Sequence, residues 1–364
     1  MRQAHTVLQV RAAEAELMAV LPPGALMQRA VAGIAVACAG RLGRVYGARV
    51  TVLAGSGDNG ADALWAGAAL ARRGAQVTAV LLGDPRPDAL AALLAAGGRV
   101  GPLRGADLVL DGLVGIGGKG PLRPEAAALA TQAGAYDVVA VDLPSGVDAD
   151  TGAVRGAAVR ADLTVCLGTL KTGLLVGSGR EHAGRVELVD IGLDLPDPVV
   201  QVLEAADVAR LLPLAHAGSD KYTRGVVGIA AGSPAYTGAA VLAVGAAVRA
   251  GAGMVRFAGA RLAGEQVRSR WPEVVVSESI EATGRVQAWV VGPGLGTDDE
   301  AAEIVRQVLA SEVPVLVDAD ALTVCAQHPD WLRDRTAPTL LTPHDREYER
   351  FGRPVGADRI GAAR

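Results

Sequence analysis

The first half of the chain alternates short apolar runs with segments in which apolar residues recur at helical spacing. The first run begins at Val50 and ends in a glycine-rich acidic loop, and a helical pattern follows the loop directly. Further apolar runs, each predicted to be a strand, lie at Gln76–Leu82, Asp107–Asp111, Asp137–Asp142, Leu163–Leu167 and Arg185–Asp190. Continuous apolar strands joined by helices predict a parallel sheet covered on both faces, with ligands bound at the carboxyl ends of the strands.

A segment rich in proline and aspartate, Leu193–Pro198, interrupts this pattern, and the alternation restarts after it. The apolar runs of the second part include Gly225–Gly232, Val286–Gly294, Pro314–Asp320 and Thr339–His344. They predict a second α/β domain of three layers, so we place one domain at residues 1–195 and another at residues 202–364. Asp358–Arg364 is typical of the first turns of a helix without an end, and the second domain is therefore expected to be incomplete at its carboxyl terminus.

The amino-acid composition indicates which kinds of ligand or partner the protein binds. The 364 residues are 50% hydrophobic and 3% aromatic, with a formal net charge of -4, which argues against a nucleic-acid polymer as ligand. Three widely spaced cysteines, Cys38, Cys166 and Cys325, indicate neither a disulfide framework nor a zinc site. Two apolar stretches, Ala30–Gly40 and Gly238–Val248, are shorter than the roughly 20 residues that span a bilayer. We expect a cytoplasmic protein that binds a small molecule and no membrane.

The glycine-rich loop after the first run has the residues of a ligand site. Gly55 and Gly57 allow a tight turn in which backbone N–H groups approach a phosphate, and the next helix adds the positive end of its dipole. Asp58, Asn59 and Asp62 add two carboxylates and an amide, more than a phosphate cradle requires. The loop is therefore predicted to bind a cationic or hydroxylic group as well.

Four segments are expected to converge at the carboxyl ends of the strands. They are 55–62, 111–124, 142–152 and 166–175. Asn59, Asp111 and Ser145 form an oxygen set that suits a hard cation, and Asp142 with Lys171 is a candidate acid/base pair. Each feature also has a structural explanation, because a strand-terminal aspartate is often a helix N-cap and a lone lysine is often solvated. Their occurrence together along one sheet edge favours the functional interpretation.

Longer motifs resemble a known family. Residues 1–195, with GSGDNGAD, DGLVGIGGKG, VDLPSGVDADTG and GTLKTGLL, resemble the NAD(P)H-hydrate epimerase domain. The second half, with VVGPGLG, VDADAL and LTPHDREYERF, is similar to the ADP/ATP-dependent NAD(P)H-hydrate dehydratase, which has a ribokinase-like fold. Proteins that join these domains in this order repair damaged nicotinamide nucleotides. The resemblance implies a Rossmann-like first domain with a mainly parallel sheet, and NADH or NADPH hydrated at C6 of the nicotinamide ring as substrate.

For the first domain the resemblance implies potassium held by Asn59, Asp111 and Ser145. It also implies an epimerase in which we nominate Asp142 as the acid/base group, with Lys171 beside it. The implied substrate-binding residues are Asp58, Asn59, Gly60, Ala61, Asp62, Gly115, Ile116, Gly117, Gly118, Lys119, Gly120, Pro121 and Asp142.

The sequence departs from the family in the first loop. The family has N-N-G-G-D-G, whereas this chain has Asp58, Ala61 and Ala63 at three of those positions. The two alanines add Cβ atoms where the backbone is expected to approach the ligand, so weaker substrate binding is expected there.

For the second domain the resemblance implies hydrated dinucleotide near Ala239, Gly294 and His344, with ADP or ATP and Mg²⁺ as cofactors. An alternative for His344 is a position next to a helix cap in a strand-to-helix turn. The family's lysine-containing nucleotide segment and its G-T-G-D motif have no counterpart before Arg364, so the dehydratase is expected to be inactive in this chain.

Two other functions stay open at the level of sequence. One is a small-molecule kinase of ribokinase type, and the other is a dinucleotide-binding module without enzymatic activity. The histidines outside the second-domain motif show no ligand spacing and are predicted to be surface or packing residues; they are His5, His182, His216 and His328. The preference between NADH and NADPH hydrates, and the choice between monomer and homo-oligomer, are not determined by the sequence.

Overall fold

The chain forms two α/β units. The computed structural model describes residues 1–212 and 218–364. One compact unit consists of Met1–Ala209 with Gly356–Arg364, and the other of Arg210–Val355. Each contains a parallel sheet, which confirms the predicted fold class. The limits of the functional domains stay predictions.

The first unit contains a seven-stranded parallel sheet in the order β4-β3-β2-β5-β6-β7-β9 and a small sheet in the order β10-β1-β8. The strands are β1 (Arg2–His5), β2 (Arg49–Ala54), β3 (Gln76–Leu81), β4 (Arg99–Val100), β5 (Leu108–Gly112), β6 (Val138–Val141), β7 (Leu163–Leu167), β8 (Leu170–Lys171), β9 (Arg185–Val189) and β10 (Val200–Val202). Predicted strands match β3, β5, β6, β7 and β9 to within one residue at each end. The carboxyl ends of β2, β5, β6 and β7 are neighbours at the centre of the sheet.

Helices cover both faces of this sheet. The helices of the first unit are α1 (Val7–Val20), α2 (Ala25–Leu42), α3 (Asp58–Arg72), α4 (Pro87–Ala95), α5 (Pro124–Ala133) and α6 (Gly177–His182); α7 (Ala205–Leu211) follows β10, and α14 (Arg359–Ala363) is the last helix of the chain. On one face Leu64 of α3 packs with Val52 and Leu110 of the sheet. On the other face Ala130 of α5 packs with Val109. The two clusters explain why these strands are nearly continuous apolar runs and do not alternate apolar with polar residues.

Helix α3, which follows β2, begins earlier than the sequence pattern predicts. It begins at Asp58, after Gly57 as the N-cap residue. Residues 58–62 therefore form the first helical turn and not a loop. A Cβ atom at Gly60 would lie 2.1 Å from the carbonyl oxygen of Gly55, so glycine is required where this helix contacts the preceding turn.

One helix of the described residues, α2, is long and apolar enough to cross a membrane by length and composition alone. Its residues Ala30, Ile34, Ala35 and Cys38 are buried, and three of them belong to the core cluster of the first unit. Packing on the sheet therefore accounts for its apolar face. The expected absence of membrane contact stays a prediction.

The second unit contains a six-stranded parallel sheet in the order β13-β12-β11-β14-β15-β16. Its strands are β11 (Val226–Ala230), β12 (Met254–Ala258), β13 (Val275–Ser277), β14 (Ala288–Val291), β15 (Val315–Val317) and β16 (Thr339–Leu341). Its helices are α8 (Thr237–Arg249), α9 (Arg261–Arg270), α10 (Asp299–Leu309), α11 (Asp320–Gln327), α12 (Asp330–Arg333) and α13 (Asp345–Glu349). One core cluster contains residues of α10 and α11 and another contains residues of α8 and α9, which places helices on both faces.

Candidate active site

A cavity of about 970 Å³ opens at the carboxyl ends of the central strands of the first unit. Its lining includes 55–59 and Asp62 after β2, the loop 113–123 after β5, and Asp142 after β6. This is the edge at which a parallel sheet binds ligands. The predicted convergence of these segments is therefore observed in the structure.

Asp142 and Lys171 form an ion pair in the wall of this cavity. Asp142 lines the cavity, and its Oδ1 accepts hydrogen bonds from Lys171 Nζ and from the backbone N–H of Leu167, the latter at 3.0 Å. Lys171 is 1% exposed and also donates to the carbonyl of Leu167 at 2.8 Å. Burial is the largest single effect and lowers the pKa of Lys171, but the charge of Asp142, the hydrogen bond to Asp142 and the charges of Cys166 and Glu14 together outweigh it and raise the pKa. The lysine therefore stays charged at neutral pH.

The backbone at Asp142 has a conformation that is uncommon for an aspartate. Its φ is 66°, in the left-handed region that favours glycine. Lys171 is fixed by the small sheet, in which β1 and β8 pair in parallel and His5 lies opposite Lys171. The ring of His5 is buried between Thr169 Oγ1 and the carbonyl of Pro196, at 2.8 and 2.9 Å. His5 is thus a packing residue, while His216 lies outside the described residues.

Asp111 and Ser145, two of the three predicted ion ligands, are in direct contact. Oδ1 of Asp111 accepts the hydroxyl of Ser145 at 2.7 Å, and Oδ2 accepts the backbone N–H of Ser145 at 2.9 Å. Asp111 is fully buried, and burial raises its pKa although the hydrogen bonds from Ser145 act in the opposite direction. No ion pair of Asp111 is formed within residues 1–212 and 218–364. Among the described residues, its buried carboxyl group therefore has no cationic partner.

The third predicted ligand, Asn59, lies against the loop after β5. A Cβ atom at Gly115 would lie 3.2 Å from Asn59 Oδ1. The Nδ2 atom of Asn59 is buried and has no hydrogen-bond partner. In the part of the chain that the structure describes, no group of three His, Cys, Asp or Glu side chains could hold a metal ion. A cation here would depend on the mixed set of amide, hydroxyl and carboxylate oxygens.

Asp62 is a second carboxyl group in the cavity. Burial, followed by the negative charges of Asp142, Asp58 and Glu14, raises the pKa of Asp62 to about 7. Burial likewise raises the pKa of Glu14, with Lys171 acting in the opposite direction. The cavity therefore contains one carboxyl group, that of Asp62, that gains a proton near neutral pH.

Sequence reasoning missed the contribution of α1. Arg11 and Glu14 of this helix line the cavity, and a Cβ atom at Gly117 would lie 3.0 Å from Arg11 Nη2. Arg123, which lies in the predicted segment 111–124 but was not named as a site residue, also lines the cavity. The segment HTVLQVRAAE, which contains Arg11 and Glu14, is similar to the family, but its helical pattern does not show which face meets a ligand.

Ala61 and Ala63 do not stand where the family comparison suggested. Ala61 is 1% exposed and Ala63 is fully buried, and both belong to the core cluster of the first unit. Their Cβ atoms pack in the core because residues 58–72 are helical. Gly60 is also buried and, like Ala61, is absent from the cavity lining. Ligand contact through these two backbones stays a prediction, whereas all residues of 115–121 line the cavity.

In the second unit, two of the three predicted substrate residues adjoin. A Cβ atom at Gly294 would lie 2.5 Å from the Cβ of Ala239. His344 is the N-cap residue of α13, and it forms a capping box with Glu347. The alternative interpretation, in which His344 lies at a helix cap, therefore agrees with its local structure. Its contact with substrate stays a prediction.

Comparison with known proteins matches both units. Residues 23–173 match the family model of the YjeF-related protein N-terminus, and residues 227–364 match that of NAD(P)H-hydrate dehydratase. The bifunctional NAD(P)H-hydrate repair enzyme Nnr of Mycobacterium tuberculosis is 53% identical over 375 residues, which cover 100% of this chain and 78% of the relative. The enzyme of the same name from Corynebacterium glutamicum is 35% identical over 381 residues, covering 85% and 66%.

Solved structures include the ADP/ATP-dependent NAD(P)H-hydrate dehydratase of Bacillus subtilis, co-crystallized with ATP and Mg²⁺. It is 28% identical, covers 40% of this chain and 54% of that chain, and has a TM-score of 0.34. The yeast protein YNL200c is 19% identical, with coverages of 47% and 82% and a TM-score of 0.43. The identity along the whole chain and the matches to both domain models show that this chain belongs to the family of bifunctional NAD(P)H-hydrate repair enzymes.

Proposed function

We propose that the first unit interconverts the R and S epimers of NADH or NADPH hydrated at C6. The observation that carries this proposal is the Asp142–Lys171 ion pair, in which the carboxylate faces a cavity and the lysine is buried beside it. Membership of the repair-enzyme family supports the substrate. The cavity, at about 970 Å³, lies within the range of about 300–1,000 Å³ typical of small-molecule sites.

Inversion at C6 requires the hydroxyl group to leave and water to add from the other face. As the C6–O bond breaks, the lone pair of the ring nitrogen forms a double bond to C6, and the leaving oxygen takes up a proton. A group near the ring that exchanges protons with this oxygen serves both directions. Asp142 suits this task because Lys171 and the N–H of Leu167 stabilise its carboxylate while it stays accessible to the cavity.

Another part of the cavity lining, the glycine-rich loop after β5, suits the phosphate groups of a dinucleotide. The glycine-rich residues 115–121 can present backbone N–H groups. Arg11, Lys119 and Arg123 add positive charge around this loop. Arg11 forms no hydrogen bond or ion pair within the described residues. We infer that these cations bind the diphosphate.

Potassium fits the residues predicted to hold it. Asp111 is a buried carboxylate without a cationic partner in the described chain, and the amide of Asn59 is buried with an unpaired Nδ2. Rotating the side-chain amide of Asn59 by about 180° would place its oxygen where the unpaired Nδ2 now lies. We propose that Asn59, Asp111 and Ser145 hold K⁺, which would connect the loops and offset phosphate charge.

The epimer assay tests the proposal directly. The protein is incubated with purified S epimer of hydrated NADH, and the appearance of the R epimer is followed by chromatography. Asp142→Asn should lower the rate by about 10²–10⁴-fold, whereas Asp84→Asn, an exposed aspartate outside the cavity lining, should not change it. Ligand binding with an unchanged epimer ratio would instead indicate a binding module and contradict the proposal.

For the second unit we propose that Ala239, Gly294 and His344 contact the hydrated dinucleotide and that any dehydratase step uses ADP or ATP with Mg²⁺. The match of 227–364 to the dehydratase family supports this choice of cofactor. A rise in the melting temperature of the protein on addition of ATP and Mg²⁺ tests the nucleotide site, and formation of NADH in the same mixture tests for a complete dehydratase. The expected inactivity of this chain as a dehydratase stays a prediction, which NADH formation would contradict.

A further inference from the structure

Two carboxyl groups of the cavity differ sharply in their surroundings. Asp142 accepts hydrogen bonds from Lys171 and Leu167. Asp62 forms no hydrogen bond or ion pair within residues 1–212 and 218–364, although it is only partly exposed and lines the same cavity. One carboxyl group is thus paired with a cation, while the other has no partner among the described residues that would stabilise its charge.

The two groups enter the cavity from different strands. Asp62 lies in the first turns of α3, which follows β2, whereas Asp142 directly follows β6. β5 lies between β2 and β6 in the sheet. Neighbouring strands are about 4.8 Å apart, so the ends of β2 and β6 are separated by about 10 Å. Both Asp62 and Asp142 line the same cavity, so a ligand bound there is accessible to both carboxyl groups.

Burial first, and then the negative charges around it, raise the pKa of Asp62, so that its carboxyl group stays protonated to a higher pH than usual. Asp58 of the same helix, Asp142 after β6 and Glu14 of α1 act on it with negative charge, and Arg86 acts weakly in the opposite direction. Two titratable groups whose surroundings differ in this way are suited to the roles of acid and base in one reaction.

We propose that Asp62 and Asp142 act as a pair, with Asp62 as the proton donor on one face of the nicotinamide ring and Asp142 as the proton acceptor on the other. This inference rests on the proposed epimerase function and deepens it. In one direction, the Asp62 carboxyl gives its proton to the C6 hydroxyl, the C6–O bond breaks, and water leaves. The lone pair of N1 becomes the second bond of C6=N1.

Water then adds to the other face of C6, and Asp142 takes the proton that this water loses while the electron pair returns to N1. The product has inverted configuration, and the proton count balances because Asp62 has lost one proton and Asp142 has gained one. The reverse reaction uses the two groups in exchanged roles. Each turnover leaves the enzyme in the other protonation state, so a proton must return through solvent before the next turnover in the same direction.

The test compares Asp62→Asn, Asp62→Glu and the control Asp84→Asn in the epimer assay across a range of pH. Asp62→Asn should lower kcat by about 10²–10⁴-fold with KM changed less than about threefold, because asparagine can bind but cannot donate a proton. Asp62→Glu should recover part of kcat. In the wild-type protein the rate in the direction that uses protonated Asp62 should fall above about pH 7.

Three outcomes are informative. A higher KM with unchanged kcat in Asp62→Asn would show that Asp62 only binds substrate, and would overturn the two-carboxyl inference while leaving the epimerase intact. Unchanged kcat and KM would overturn it as well. If the wild-type protein itself does not interconvert the epimers, the proposed function fails first. Melting curves confirm folding, and Asp62→Asn is expected to fold because it removes a partly buried carboxyl group without a partner.

Discussion

Removing one partner of the Asp142–Lys171 ion pair should destabilise the first unit more than removing both. Asp142 and Lys171 are 7% and 1% exposed. Loss of one partner from a buried pair costs about 3–5 kcal/mol, because the other charge stays buried without compensation. In Asp142→Asn, Lys171 keeps the carbonyl of Leu167 as acceptor. In Lys171→Met, Asp142 keeps the N–H of Leu167. The lower end, about 3 kcal/mol, is therefore expected for each.

The double variant Asp142→Asn/Lys171→Met leaves no unpaired charge. Replacing both members of a buried pair by uncharged side chains is often close to neutral, so the double variant should lose less than either single variant, and the sum of the two single effects should exceed the double effect by at least about 3 kcal/mol. Asparagine is the appropriate replacement because it tolerates the left-handed backbone of Asp142 better than alanine, so that the substitution removes charge without adding strain.

Native-state hydrogen exchange is the suitable measurement, because a chain of two units need not unfold in a single transition. Exchange of peptides that cover β6 and β7 reports the free energy of opening around the pair. Asp84→Asn is the control, since Asp84 is exposed and lies outside the cavity lining. A double variant that loses the full sum of the single effects would refute the coupling of the two charges.

Three further predictions follow from the same site. Because the pKa of Asp62 is raised to about 7 in the folded protein, the folded state binds its proton more tightly than the unfolded state, and stability should fall as the pH rises from about 4 to about 7. Asp62→Asn should remove this loss, worth about 2–4 kcal/mol at about pH 8, in melting curves compared with those at about pH 5. Ala61→Gly and Ala63→Gly should each lower the free energy of unfolding by about 1 kcal/mol and leave KM unchanged, because both Cβ atoms lie in the core; a lower KM would show that the methyl groups obstruct the ligand. Potassium should raise the melting temperature of the wild-type protein more than sodium does, and Asp111→Asn should abolish the difference; an equal shift with both salts would contradict potassium binding.

The sequence predicted the central sheet well because its strands are buried on both faces. Burial at every position, as in β5 and β7, leaves a nearly continuous apolar run that is readily recognised. The short strands β1, β8 and β10 leave no such signal, since they contain two to four residues each. Yet β1 and β8 place Lys171, so the support of the ion pair was not predictable from the pattern that predicted the sheet.

At the site, the residues that follow strands could be predicted from the sequence, whereas those on a helix could not. Asp111, Asp142 and Ser145 follow strands, and topology alone brings strand ends together. Arg11 and Glu14 lie on a helix whose position depends on tertiary packing, so their place in the cavity lining could not be read from spacing.

The backbone of Asp142 shows how the ion pair and the site depend on each other. An aspartate in the left-handed region costs about 1–2 kcal/mol relative to ordinary conformations. The backbone N–H of Asp142 donates to Val165 at 2.8 Å, while its carboxylate binds Leu167 and Lys171. Since the coupling of the charges is worth about 3 kcal/mol, it exceeds the strain and can hold this conformation. Loss of Lys171 should therefore change the direction of the Asp142 carboxylate as well as its charge environment, and activity should fall more than electrostatics alone would require.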